Sequence, residues 1–196
     1  MSSPQAGTPF EQSIHALNAS TSVPALVVIE APLLWPQASS AQLAEFTPED
    51  AQQLLPVEVQ EVCAALHAKG CRIAVVGVSN PEALCKVIQG GPLATLITHN
   101  HILDQSDTIT NSSDEQQLRQ RQQKAWEQHL ASLRHKTTVA CSDSLAFCSC
   151  LDMIRAANKA GIRASVHVRG GKGLTADALR TGLCLYNEKT EENRGF

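Results

Sequence analysis

Short apolar runs that do not alternate with polar residues are the feature that most constrains how this chain can fold. Two of them, A-L-V-V-I at 25–29 and R-I-A-V-V-G-V at 72–78, are typical of strands covered on both faces. Shorter runs follow at 93–98, 137–141 and 164–168. We therefore predict five buried strands over these ranges.

Helical segments separate the predicted strands. Val59, Val62, Cys63 and Leu66 recur at helical spacing between a proline and a glycine, which predicts a helix over 56–69. Further helices are predicted over 81–89, 114–134, 145–159 and 175–186. Alternation of strand and helix is typical of an α/β domain with a doubly wound parallel sheet, here of five strands.

The two ends of the chain differ in composition from its middle. Residues 1–22 are small and polar, so we expect a flexible N-terminal tail there. The α/β domain is predicted over 23–188, and a charged C-terminal tail over 189–196. A chain of 196 residues suits one such domain.

Charge and hydropathy exclude several classes of function. The formal net charge of -3 does not favour nucleic-acid binding, and no apolar run approaches the roughly 18 residues of a membrane span. No lysine or arginine precedes Lys69, which argues against a mitochondrial presequence. Seven cysteines without repeated spacing indicate reduced thiols rather than a disulfide framework. We expect a cytoplasmic protein, with a mitochondrial location the less favoured alternative.

Four segments carry a family resemblance that spans residues 25–186. They are Leu34-Trp35-Pro36, the run L-H-A-K-G-C-R-I-A-V-V at 66–76, Lys124 with Trp126 and His129, and a closing segment from His167 to Tyr186. In order and spacing they resemble the haloacid-dehalogenase (HAD) phosphatases, and among these the capless eukaryotic magnesium-dependent phosphatases. The resemblance implies a Rossmannoid sheet without a large cap domain.

The resemblance also locates the family's catalytic motif, Asp-x-Asp-x-Thr, just before Leu34-Trp35-Pro36. The aligned positions are Ile29, Ala31 and Leu33, which are the places of the nucleophile, the general acid/base and the threonine. Phosphoryl transfer by this route needs a nucleophilic oxygen and oxygen ligands for Mg²⁺, and these side chains have neither. A shift of the alignment by one residue would bring Glu30 to the nucleophile position, but Leu34-Trp35-Pro36 would then no longer align with the family's Leu-Trp-Pro.

The remaining motifs of the family are also incomplete. Gly77 stands where the family has a phosphate-binding serine or threonine, with Ser79 two residues later. Lys124 matches the lysine that stabilises phosphoryl charge. Asp143, after the strand predicted at 137–141, is the one survivor of the acidic pair that holds magnesium. Each has a structural alternative, since Ser79 and Asp143 could cap helices and Lys124 could be a solvated side chain.

Three other groups of residues suggest chemistry of their own. His99, His101 and Asp104 have a spacing that could begin a zinc site. Cys141, clustered in the sequence with Cys148 and Cys150, could act as a nucleophile with His167, although buried cysteines usually serve packing. Arg169 and Lys172 flank glycines between a strand and a helix, where they could hold a phosphate or form a surface turn.

A retained scaffold beside lost catalytic groups predicts a pseudophosphatase, a binding, regulatory or structural subunit without a cofactor. We expect protein partners at the region 99–134, which adds a polar loop and a long helix to the basic α/β fold. We expect no membrane or nucleic-acid binding. The alternative is an active phosphoric monoester hydrolase that acts on phosphoprotein or sugar phosphate, with Mg²⁺ at Asp143. A third hypothesis is a sensor of a phosphate-bearing ligand that uses Arg169, Lys172 and Lys124.

Overall fold

A parallel sheet forms the centre of the computed structural model, which describes residues 7–38, 42, 45, 47–78, 81–97, 101–104, 115–169, 171 and 173–192. Its strands are β1 (Leu26–Glu30), β2 (Arg72–Val78), β3 (Ile102–Asp104), β4 (Ser144–Cys148) and β5 (Ala164–His167). Their order across the sheet is β3-β2-β1-β4-β5. Four of them, β2, β1, β4 and β5, pair in continuous parallel register, and the short β3 joins the edge with a register shift. The predicted α/β class with a parallel sheet is confirmed.

Helices cover both faces of this sheet. They are α1 (Pro9–Ala19), α2 (Pro48–Leu54), α3 (Val57–Ala68), α4 (Pro81–Gln89), α5 (Glu115–Thr137), α6 (Leu151–Lys159) and α7 (Ala176–Glu192). The helices α3, α4 and α7 pack on one face, with α1 outside α3 and α7, while α5 and α6 pack on the other. Because successive strand residues point to opposite faces, Val27 and Ile29 enter the first core and Leu26 and Val28 the second.

The third strand does not lie where the sequence predicts it. Residues 91–97 form turns, and the backbone amides of Leu96 and Ile97 both bond to the carbonyl of Leu93 at 3.0 Å. Leu93 and Ile97 are buried, so the apolar residues of this run anchor a turn against the core instead of building a strand. Residue 98 lies outside the described residues, and the edge strand β3 follows at Ile102–Asp104.

The fourth strand was also predicted in the wrong place. Helix α5 continues to Thr137, the range 137–141 forms no strand, and Cys141–Asp143 is a single 3-10 turn. The run S-L-A-F-C, predicted to open a helix at 145, is the fully buried strand β4. No proline or glycine separates this run from helix α6, so the sequence pattern merges the two elements.

Part of each predicted tail is helical. Residues 9–19 form helix α1, with Leu17 buried and the amide of Phe10 bonded to Glu61 of α3 at 3.0 Å. Thr8 and Glu11 make a capping box at its start, a signal present in the sequence as T-x-x-E. At the other end, α7 runs to Glu192 with Thr190 buried, and residues 193–196 lie outside the described part.

We find no helix, within the ranges described above, that is long and apolar enough to cross a lipid bilayer.

Candidate functional site

The strand order places a crevice between β1 and β4. From this central pair the chain moves outward through β2 and β3 on one side and through β5 on the other. Ligands of such sheets bind beyond the carboxyl ends of the strands where the direction reverses. Glu30, the last residue of β1, and Ser149 and Cys150, which follow β4, stand on the two sides of this point.

Glu30 is held inside this crevice by the backbone of the opposite side. It is 6% exposed, and its Oε2 accepts a hydrogen bond from the Ser149 amide at 2.5 Å. The amide of Cys150 also bonds to the carboxylate. Burial raises the pKa of Glu30 above its usual value, although these hydrogen bonds and the nearby His167 act in the opposite direction. The amides after β4 therefore already have a hydrogen-bond acceptor from the chain itself.

The strand period explains why Glu30, and not its neighbour, enters the crevice. Leu26, Val28 and Glu30 share the face that α5 and α6 cover, and the row ends at the carboxyl edge. Ile29 points to the opposite core and is fully buried, and Ala31 is 1% exposed in the turn that follows. The two positions aligned with the family's acidic residues are therefore part of the packed interior.

An indole ring closes the crevice from the side of α5. Gly77 has a backbone φ of +80°, and a Cβ at this position would lie 2.9 Å from Cη2 of Trp126 and 3.2 Å from Cγ of Glu30. Trp126 is 6% exposed. The position at which the family has a phosphate-binding hydroxyl is here a glycine that leaves room for the ring of Trp126.

The end of β5 adds two polar side chains at the rim. His167 pairs with Cys148 in the sheet, and its Nε2 lies 3.1 Å from the carbonyl oxygen of Ser149. Arg169 is exposed, and its Nε donates to Nδ1 of His167 at 3.4 Å. The carboxyl ends of β1, β4 and β5 are thus connected through the Ser149 peptide.

The loop between β5 and α7 is fixed to the turn after β1. A Cβ on Gly173 would lie 2.8 Å from the carbonyl oxygen of Leu33, and the amide of Leu174 donates to the same oxygen at 3.0 Å. At the start of α7 the Ala176 amide donates to Oε1 of Glu58 at 3.1 Å. This amide at the start of α7 therefore already has a carboxylate partner. Lys172, the second predicted phosphate ligand, lies outside the described residues.

Asp143 lies at the opposite edge of the sheet from Glu30, which corrects its predicted position after the fourth strand. It precedes β4, whose five residues span about 17 Å. Its carboxylate pairs with Arg163 at 3.0 Å, and it does not cap α6, which begins at Leu151. Cys141 lies at the same edge as Asp143, so the predicted approach of Cys141 to His167 is also wrong.

The other predicted ligands do not join the crevice in the described structure. Lys124 is exposed and lies two residues before Trp126, so it projects about 200° around α5 from the buried ring. Ser79 and His99 lie outside the described residues. His101 is half-buried, and burial lowers its pKa. Among the described residues, no group of three or more histidine, cysteine, aspartate or glutamate side chains could hold a metal ion.

Magnesium, which the family resemblance implies, does not fit the crevice that these residues form. Mg²⁺ requires near-octahedral oxygen coordination, usually with one or two carboxylates. Glu30 is the one carboxylate that the described residues place there, and backbone amides already bind it. Ile29 and Ala31 supply no side-chain oxygen, and the residues after β4 are Ser149 and Cys150 instead of an acidic pair.

No protein-family model matches the sequence, and no curated protein matches it either. The likeness to HAD phosphatases therefore stays a prediction from the four sequence segments.

Proposed function

We propose that this protein is a catalytically degenerate homologue of HAD phosphatases that acts by binding, as a regulatory or structural subunit. The observation that best supports the proposal is that the chain fills its own crevice. The carboxylate of Glu30 accepts a hydrogen bond from the backbone that follows β4, and the ring of Trp126 lies over Gly77. The Ser149 amide is therefore already bonded to a carboxylate of the chain and is not available to a substrate phosphate.

Electrostatics also disfavours a phosphate beside Glu30. Two like unit charges 4 Å apart repel by about 4 kcal/mol at the effective dielectric constant typical of protein sites. A phosphate monoester carries up to two charges, so its binding next to an ionised Glu30 would be weakened by at least about a thousandfold.

The absence of a nucleophilic oxygen at Ile29 argues in the same direction. Removal of the nucleophile from an enzyme typically lowers the rate by about a million-fold. Ile29 is buried in the core, and its side chain has no oxygen that could attack phosphorus. Any hydrolysis would have to use a group that the family does not use.

The proposed contact surface for a protein partner is the region 99–134, and its described parts are residues 101–104 and the portion of helix α5 up to residue 134. At 1.5 Å per residue, the 23 residues of α5 extend over about 35 Å, whereas β1 and β4 span about 17 Å and β2 about 23 Å. Among the described residues of α5, Trp126, Leu130, Leu133 and Thr137 are buried. We infer an interaction element from the length of this helix.

An aryl-phosphate hydrolysis assay with and without Mg²⁺ tests the proposal on wild type, Glu30→Gln and Asp143→Asn. We expect all three proteins to stay at the uncatalysed rate. Wild-type activity that Glu30→Gln abolishes would refute the proposal and identify Glu30 as the nucleophile. Activity that Asp143→Asn alone abolishes would refute both the proposal and the position of Asp143 at the far edge.

One observation favours the alternative, an active magnesium-dependent phosphatase acting on phosphoprotein or sugar phosphate. Glu30 is a buried carboxyl group with a raised pKa at the ligand-binding edge, and such groups are often functional. This alternative requires Mg²⁺ to bind, so isothermal titration of the wild-type protein with Mg²⁺ decides against it if no heat is released. A thermal-shift screen with phosphorylated metabolites would identify the third function, a phosphate-ligand sensor.

A further inference from the structure

Three exposed apolar side chains lie around the start of α3. They are Phe10 on α1, Leu54 at the end of α2 and Val57, the first residue of α3. Val57 is 69% exposed, more than any other large hydrophobic side chain in the described structure. Single exposed apolar residues are common on protein surfaces, whereas contiguous ones mark interaction sites. We call these three residues the apolar patch.

Two contacts between α1 and α3 bring Phe10 close to Val57. The amide of Phe10 donates to Oε2 of Glu61 at 3.0 Å near the start of both helices. Near their ends Nζ of Lys69 donates to Asn18, so the helices run side by side in the same direction. Because helical side chains lean toward the N-terminus, and Val57 precedes Glu61 by one turn on the same side of α3, Phe10 leans toward Val57. Leu54 precedes Val57 by three residues, which span at most about 11 Å.

The sequence around the apolar patch is acidic and contains no lysine or arginine. Residues 1–68 include seven aspartate and glutamate residues, and all 16 lysine and arginine residues of the chain follow them. Five of the seven acidic residues lie on the helices that form the patch: Glu11, Glu49, Asp50, Glu58 and Glu61. The patch is therefore surrounded by negative charge.

Helix capping explains why acidic residues occur here, but not why cations are missing. Glu11 and Asp50 complete the capping boxes of α1 and α2. Glu61 and Glu58 accept from amides in the first turns of α1 and α7. These bonds leave the negative charges in place, and within the described ranges none of the four carboxylates forms an ion pair. A partner can therefore supply the missing cations.

We propose that the apolar patch is a docking surface for a basic amphipathic helix of a protein partner. The apolar side of such a helix would cover the patch, and its flanking lysine or arginine residues would meet the acidic side chains. The patch is made of helical side chains, which suit a packed helix better than an extended peptide that needs a strand edge. Nucleic acids and anionic membranes are disfavoured, because the surface would repel them. The patch lies on the opposite face of the sheet from α5, and the proposal does not rest on the proposed function.

Fluorescence anisotropy of the full chain with a labelled helical peptide, leucine on one side and lysine on the other, tests the proposal. The control peptide has glutamate in place of lysine. We expect the leucine–lysine peptide to bind, more weakly as the salt concentration rises, and to shift the amide NMR resonances of Phe10, Val57 and Glu61. No binding of this peptide, equal binding of both peptides, or shifts confined to α5 and α6 would overturn the proposal.

Variants separate the apolar and the charged parts of the surface. Val57→Ser should weaken peptide binding by about tenfold, and Glu49→Lys by about three- to tenfold at low salt. Leu151→Ser is the matched control for Val57→Ser, because Leu151 is 56% exposed on α6 at the other face, and it should leave the affinity unchanged. Unchanged affinity in Val57→Ser would overturn the proposal. A wild-type dimer in sedimentation that Val57→Ser dissociates would also overturn it, because a second copy would then cover the patch.

Discussion

Replacement of Gly77 by alanine tests directly whether the crevice is closed. The backbone of Gly77 has a φ of +80°, which costs an L-residue about 1–2 kcal/mol. Gly70 provides the matched control, because its φ is +78° and no atom lies within 4 Å of a Cβ built there. Gly70→Ala should therefore lower the free energy of unfolding by the backbone term alone.

At Gly77 the new methyl group meets two side chains that cannot move away easily. It would lie 2.9 Å from Cη2 of Trp126 and 3.2 Å from Cγ of Glu30. Trp126 is buried, and Glu30 is bonded to the Ser149 amide. Overpacking of this kind costs about 1–3 kcal/mol. Gly77→Ala should thus lower the free energy of unfolding by about 2–5 kcal/mol, some 1–3 kcal/mol more than Gly70→Ala.

Urea-induced unfolding followed by far-ultraviolet circular dichroism measures this difference. Adding Trp126→Leu to both proteins completes the comparison, since the smaller side chain leaves room for the methyl group. In that background Gly77→Ala should cost less than it does in the wild-type background, and any remaining excess over Gly70→Ala comes from the contact with Cγ of Glu30. Equal costs of the two alanine variants in the wild-type background would refute the reasoning, because the indole would then not lie on Gly77.

Other predictions concern charge and reactivity. Burial raises the pKa of Glu30 above its usual 4.5, so the contribution of this group to stability is complete below pH 4.5 and is lost as the pH rises through the raised value; urea unfolding of Glu30→Gln across pH 4 to 7.5 should lack this loss. Asp143→Asn should lower the free energy of unfolding by less than about 1 kcal/mol, because that side chain is 52% exposed. Arg163→Ala should lower it by about 2–3 kcal/mol, because Arg163 is 16% exposed and lies over an aromatic ring at 4.5 Å. A thiol reagent should modify the exposed Cys184 in the native protein and Cys63, whose pKa burial raises to about 12, only after unfolding, as mass spectrometry would show.

The central strands could be predicted because their sequences suit a single structure. The run at 72–78 is apolar and follows the glycine that ends α3, and the strand has these same bounds. The run at 25–29 is shifted by one residue from β1, which ends at Glu30. This single residue matters, because it places the carboxylate of Glu30 at the carboxyl end of the strand, directly after Ile29, the residue aligned with the family's nucleophile.

The candidate site was less predictable because it depends on which end of a strand a residue follows. Asp143 follows the run 137–141, and that run would have placed it at the ligand-binding edge. The strand is instead the next run, Ser144–Cys148, so Asp143 lies at the far edge. The bond from Glu30 to Ser149 joins residues 119 positions apart and has no local signal in the sequence.

The filled crevice and the buried first motif are parts of one arrangement. Ile29 packs in one core, and Glu30 is bonded to the amide that follows β4. If no side chain covered the carboxyl ends of these strands, this hydrogen-bonded group would be only partly shielded from water. Gly77 removes that difficulty, because the absence of a side chain lets Trp126 approach and complete the second core up to the strand ends. The carboxyl edge then contributes to stability as the rest of the core does. For the proposed binding function, this arrangement favours contact at the outer surfaces of the helices and at the rim over contact between β1 and β4.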